Sequence, residues 1–252
     1  MMSVLEKDNW TDDVDLMLSD IVEYDMRRAG LNIIRQEKLL PEEQIQNLGT
    51  MEKLESDIAI GKMYLKDKQF KELHMSGFKK YRLKFGELNN LDDRDILSVK
   101  KDAIFVRRYC NVTQVADYIE FREKNHYEAF LKIQRLEIYW SPTQMDVKGI
   151  SDELVELHRP YLLKSISKFI RLLSQYDFKK ATKFIVSLMN DYKLRNLPVG
   201  YYREFNTDSK YVYGINGRVM LVPDIGESFK REVDISYNYL NVLVPLLQLI
   251  MG

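Results

Sequence analysis

The sequence predicts an α+β fold: an antiparallel sheet interrupted by a helical insert and followed by C-terminal helices. Three observations predict it. Apolar residues recur at helical spacing from about residue 42 to Phe85 and again from Ser151 to Leu173. Between those stretches, apolar and polar side chains alternate as on half-exposed antiparallel strands. Polar clusters such as Asn89, Asn90, Asp92, Asp93 and Asp95 separate the two patterns.

Taken in order, Asp12 to Tyr24 carries Val14, Leu16, Leu18, Ile21 and Val22, which mix strand and helix spacing; a strand ending near Tyr24 is the preferred reading. Ala29, Ile33, Ile34 and Leu39 suit a short helix within 28–40. Pro41, followed by Glu42 and Glu43, opens the next, because its fixed φ suits a first helical turn. The insert then runs through Leu54, Ile58, Met63, Phe70, Phe78 and Phe85. Ile96 to Val106 is two apolar runs about Lys100, Lys101 and Asp102, the pattern of a β-hairpin. Val115 to Phe121 and Tyr127 to Tyr139 read as two further strands. Ser151 is placed to cap the helix that runs to Leu173, and another helix follows over Lys179 to Leu194. Lys210 to Val222 reads as a hairpin about Asn216-Gly217, the dipeptide that accepts positive φ at both turn positions, ended by Pro223 and Gly226.

The bulk numbers exclude several classes. A chain of 252 residues, 45% hydrophobic and 30% charged, buries a sizeable core and is not disordered. The single cysteine, Cys110, forms no intramolecular disulfide, and three scattered histidines give no zinc-site spacing. The apolar run Leu240 to Met251 is about half of the ~20 residues a membrane span needs, and Asn241 and Gln248 interrupt it, so it reads as a buried helix. The acidic stretch to Asp20 lacks the basic and apolar regions of a secretory signal, and a cytoplasmic protein is expected. Net charge is zero, yet residues 1–61 hold six Lys and Arg against fourteen Asp and Glu, while residues 62–108 hold thirteen against seven. That swing points to an anionic partner for the middle segment.

Two aspartates stand where chemistry is built. Asp25 lies where an apolar strand meets a turn into a helix, and Asp102 lies at the bend of a hairpin. Paired carboxylates suit hard Mg²⁺, and metals held by them activate an attacking oxygen during phosphoryl or nucleotidyl transfer. Aspartates at such places also serve as helix caps and turn formers. The pairs Lys100-Lys101 and Lys124-Asn125 equally suit solvated turns.

These residues resemble the palm of family B DNA polymerases. That family carries D-x-x-S-L-Y-P-S-I-I, which Asp25 to Ile34 matches without gaps at the aspartate and the closing Ile33-Ile34. It also carries D-T-D-S-V-F-V, which Lys100 to Val106 matches at Asp102 and at Phe105-Val106. A K-K-R-Y type motif that holds the primer strand is similar to Lys124-Asn125-His126-Tyr127. The chain departs from the family at Lys100, which replaces the first aspartate of the second motif, and at Gly30, which replaces the tyrosine that polices the sugar. The finger motif K-x-x-x-N-S-x-Y-G is not recognisable, and the similarity covers roughly residues 20–140.

The resemblance implies an antiparallel, palm-like sheet. Residues 1–150 would form a palm-like region with a basic helical insert at about 42–88, and residues 151–252 a helical, thumb-like region with a terminal hairpin and helix. It implies nucleotidyl transfer with Mg²⁺ or Mn²⁺ on Asp25 and Asp102, Arg28 and Lys101 toward a nucleotide, and Lys124, Tyr127, Lys80, Arg82 and Lys84 toward nucleic acid. The alternatives are a non-catalytic nucleic-acid-binding accessory of phage or plasmid replication, favoured by Lys100, and a structural or assembly protein with a protein partner. Tyr201 to Asn206 suits either a nucleic-acid surface or packing under the C-terminal helix, and His158 reads as a surface helix residue.

Overall fold

The structure, a computed structural model, describes residues 3–202, 212–215, 218–221 and 238–251. The expected α+β class holds, with two multi-stranded antiparallel sheets and the helical insert between strands. The chain forms two compact units: residues 1–13 with 20–126, and residues 14–19 with 127–252.

The first unit is built on six strands in the order β1 (Trp10–Thr11), β4 (Ile96–Val99), β5 (Ala103–Val106), β3 (Ile21–Met26), β7 (Ile119–Tyr127) and β6 (Gln114–Ala116). Between β3 and β4 runs the insert: α1 (Ala29–Glu37), α2 (Glu42–Thr50), α3 (Lys53–Lys66) and α4 (Lys68–Leu88). Asp67 caps α4, its carboxylate accepting from the Phe70 backbone N–H at 2.9 Å. Phe70, His74, Phe78, Tyr81 and Phe85 then recur every three or four residues, and all are buried. Phe78, Tyr81 and Phe85 share a core with Val22, Tyr24, Met26, Ile104 and Phe121 of the sheet. Gly77 lets α4 close on α1, since a Cβ there would collide with the Ile33 side chain.

The second unit is a four-stranded sheet in the order β10 (Met145–Lys148), β9 (Leu136–Trp140), β8 (Ala129–Ile133) and β2 (Leu16–Met17). It shares one core with α5 (Asp152–His158), α6 (Lys164–Ser174), α7 (Phe178–Lys193) and the C-terminal helix α8 (Val244–Met251). Ser151 caps α5 as expected, accepting from Leu154 N–H. Pro160 has no N–H to donate, and the chain widens to a π-turn over Arg159–Leu163 before α6. Gly149, at φ +96°, packs so closely on the Arg135 carbonyl that any Cβ would collide with it.

Several sequence expectations shift. The runs Val115 to Phe121 and Tyr127 to Tyr139 each contain a turn, so they fall on the strand pairs β6/β7 and β8/β9. Strand β10 was not anticipated. His158, expected on a helix surface, is fully buried. Tyr202 is buried with its hydroxyl donating to the Tyr192 carbonyl, and the Tyr201 hydroxyl meets Ser165, so these two aromatics pack rather than face solvent. The hairpin within 210–222 is present as β11 (Val212–Ile215) and β12 (Arg218–Leu221). Its turn residues Asn216-Gly217 lie outside the described residues, as do Pro223, Gly226 and Arg203 to Asn206.

Candidate active site

Strand β3 runs through the middle of the first sheet, and its burial pattern is continuous except at Asp25. Asp25 stands opposite Ala103 of β5. The turn Lys100-Lys101-Asp102 is closed by the Lys100 N–H donating to the Ala103 carbonyl at 2.8 Å, and the Met26 N–H donates to the Asp102 carbonyl at 2.8 Å. These backbone bonds set Asp102 beside the end of β3. Burial pushes the Asp25 carboxyl above its ordinary pKa, and the negative charge of Asp102 pushes it further; Lys124 and Arg122 oppose the shift. Asp102 therefore lies close enough to Asp25 for its charge to act on that carboxyl.

Along β7, every second side chain meets a partner from β3 or its flanks. Glu120 pairs with Arg27 at 3.4 Å, Arg122 with Asp25 at 3.5 Å, Lys124 with Glu23 at 3.0 Å, and His126 meets Asp20 at 3.2 Å. The first three partners step back by two along the chain as β7 advances by two, so these side chains share a face, and His126 reaches beyond β3 to Asp20. Glu23, at 2% exposure, is the buried member; it takes Asn125 Nδ2 as well, at 2.6 Å. Glu23 and Arg122 were missed in the sequence. A period-2 charge pattern on β7 is visible there, but the partner strand lies about a hundred positions away.

Beside Asp102 opens a cavity of about 320 Å³, lined by Ala29 and Gly30 of α1, Lys53 and Asp57 of α3, His74 and Phe78 of α4, and Lys101. Burial lowers the His74 pKa to about 4, so its ring is neutral. Nε2 then donates to the Gly30 carbonyl at 2.8 Å, and Nδ1 accepts from the Tyr64 hydroxyl at 2.6 Å. Lys101 lies 4.7 Å over the Phe78 ring, at the cavity wall.

The other expected site residues divide. Lys124 lies near the pair, held by Glu23, and Lys84 is exposed on α4. Lys80 pairs with Glu37 at 2.7 Å. Arg82 does not face solvent: it is fully buried and donates to the carbonyls of Leu5, Lys7 and Lys101. Tyr127 is likewise buried, its hydroxyl on Asp146, because the strand face it occupies turns into the core. Arg28 donates to the Met51 carbonyl and lines a different cleft from the one beside Asp102. Lys100, the departure from the second motif, donates to Asn9 and Thr11.

Among the described residues, no group of three or more His, Cys, Asp or Glu is arranged to hold a metal by itself. Magnesium in phosphoryl-transfer sites is commonly held by one or two carboxylates, with waters and substrate phosphates completing its shell. Asp25 and Asp102 are two carboxylates of that chemical type, and Asp25 already has the Arg122 guanidinium at 3.5 Å.

The two antiparallel sheets and the helical insert define a palm-like α+β protein. It is similar in structure to the family B DNA polymerase from the hyperthermophilic archaeon Pyrobaculum calidifontis, with a TM-score of 0.54 at 11% identity. The match covers 96% of this chain and 46% of that one, so the chain spans under half the length of the polymerase. At that identity the likeness is one of fold. The chain belongs to the family described as Bacteriophage PBS1 gene 130 protein, which matches residues 1–252. No curated protein matches it in sequence. No helix among the described residues is long and apolar enough to cross a membrane.

Proposed function

We propose that this chain carries a DNA polymerase-like nucleotidyl-transfer site, with Asp25 and Asp102 holding Mg²⁺ or Mn²⁺. The observation that supports the reading is that Asp102 lies in the turn bonded to the end of β3, where its charge adds to burial in raising the Asp25 pKa. A divalent ion there supplies charge for the attacking oxygen and for the phosphate oxygens. The chain's own residues do the positioning. Pairing of β3 with β5 holds Asp25, the Met26 N–H bond to the Asp102 carbonyl holds the turn, and Lys101 places a cation at the cavity wall, toward a nucleotide's phosphates. Lys124, anchored on Glu23, with Lys80 and Lys84, faces a nucleic-acid backbone. In this reading residues 1–150 act as a palm with a basic insert, and residues 151–252 as a thumb-like part. The protein works in the cytoplasm, with DNA as its partner.

A second reading is a non-catalytic, nucleic-acid-binding accessory. The Arg122 guanidinium on Asp25 favours it, because it gives the carboxylate a counter-ion without a metal. Primer extension with Mg²⁺ or Mn²⁺ on a labelled template-primer separates the two, run with Asp25→Asn and with a DNA-binding assay on the same samples. The transferase reading expects extension that the variant abolishes while folding and binding persist. Binding without extension in the parent protein supports the accessory reading, and neither activity sinks both.

A further inference from the structure

A second cleft, separate in its lining from the cavity beside Asp102, opens between the start of α1 and the β6/β7 turn. Its volume is about 280 Å³, close to the lower end of ligand sites, about 300 Å³. Arg27, Arg28, Asn32 and Arg35 line one side, and Gln114, Asp117, Tyr118 and Glu120 the other. Asn32 and Arg35 lie three residues apart on α1 and so share a face, and Arg28 is the left-handed residue just before the helix. With three guanidiniums against two carboxylates, the cleft keeps a positive balance even after Glu120 pairs with Arg27.

The cleft also carries an aromatic platform. Tyr118 is 49% exposed at the tip of the turn, with its backbone N–H held by the Gln36 side chain at 2.9 Å. The Arg35 guanidinium lies 5.8 Å from the ring centroid. Arg35 also lies against α2 at Gly49, where a Cβ would stand 2.8 Å from Nη2. Arg35 is thus placed between a glycine and an exposed ring. A basic cleft beside an exposed aromatic is the arrangement that takes a phosphate on guanidiniums and stacks the attached base.

We propose that this cleft binds single-stranded nucleic acid, one phosphate on Arg28 and Arg35 and one base stacked on Tyr118. The site needs neither metal nor catalysis, so it stands or falls apart from the transferase reading.

The test is fluorescence anisotropy of the full chain with a labelled single-stranded DNA of mixed sequence, titrated at several salt concentrations. The titration is run without divalent metal, so its outcome does not depend on the carboxylate pair. Tyr118→Ala is expected to weaken binding about tenfold and Tyr118→Phe to bind like the parent, since stacking needs the ring and not the hydroxyl. Arg35→Gln is expected to reduce the slope of log affinity against log salt by about 0.7, the value for one phosphate neutralised on a single strand. Photocrosslinking of the parent protein to the same strand, with peptide mapping, is expected to label the peptide that contains Tyr118, a readout that needs no variant to fold. Parent-like binding by Tyr118→Ala, or a crosslink elsewhere, overturns the proposal. So does a parent protein that binds inorganic phosphate and not the strand, because the cleft is then an anion site alone.

Discussion

Helix α4 and strand β7 each carry a run of basic residues, and the two use them in opposite ways. On α4 the 100° turn per residue scatters them: Lys80 reaches Glu37 at the surface, Lys84 is exposed, and Arg82 points inward to three backbone carbonyls. On β7 the two-residue period keeps Arg122, Lys124 and His126 on one face, each against an acidic partner in the Asp20 to Asp25 stretch. A charge count treats the two runs alike. The comparison shows that the backbone period decides whether a cation braces a core, lines a face or meets solvent.

Of the basic residues on α4, Arg82 matters most to stability. Arg82→Met removes donors to three carbonyls in a buried setting, and should cost about 3–5 kcal/mol, since orphaned buried acceptors and the loss of a charge-assisted network both count. Arg82→Lys should recover little, because an ammonium lacks the fork that reaches separate carbonyls. Chemical denaturation measures both. A loss below about 1 kcal/mol would return Arg82 to the surface set.

His74, on the same helix, comes next and is read by pH. Its folded pKa of about 4 lies below the ordinary value of 6.5, because burial disfavours the charged ring. The unfolded chain therefore binds a proton that the folded chain refuses. The associated stability is fully present above about pH 6.5 and is lost as pH falls toward 4, on the order of 3 kcal/mol across the window. His74→Gln should flatten that part of the stability profile, and an unchanged slope would remove His74 as its source.

The strand gives smaller effects. Lys124→Met weakens the partner set of buried Glu23 and should cost about 1–2 kcal/mol, discounted because the Lys124 side chain is 41% exposed. A double-mutant cycle with Glu23→Gln isolates the pair. Asp25→Asn should act in the opposite direction. Burial and Asp102 raise the Asp25 pKa, so ionising it as pH rises through the carboxylate range takes stability away. The asparagine variant should then be more stable than the parent at neutral pH. A destabilised variant would mean that Asp25 serves the fold through Arg122.

How much of this was legible in the sequence follows from range. The hairpin at 96–106 was legible because both strands and the turn lie within eleven residues, and it brought Asp102 to the bend where the structure has it. The helix cap at Ser151 was legible for the same reason. The turns Asp117-Tyr118 and Gln134-Arg135 were not, since neither contains the Gly or Asn-Gly signal of a tight turn, and each strand pair read as one strand. The inward turn of Arg82 was hidden because its acceptors are backbone carbonyls of distant segments, which carry no side-chain signature.

Lys80 shows whether an exposed helical cation has any use beyond its local pair. Lys80 is 58% exposed and paired with Glu37, which also accepts from the Tyr81 hydroxyl. Removing the ammonium by Lys80→Ala should cost no more than about 0.5 kcal/mol, and less at high salt, as for any solvent-screened pair. Duplex DNA affinity is the second readout on the same variant. If Lys80 neutralises a phosphate, its removal lowers the salt slope by about 0.9, a change that stability does not register. An unchanged slope would leave β7 as the basic element of the pair that faces nucleic acid, and α4 as a brace.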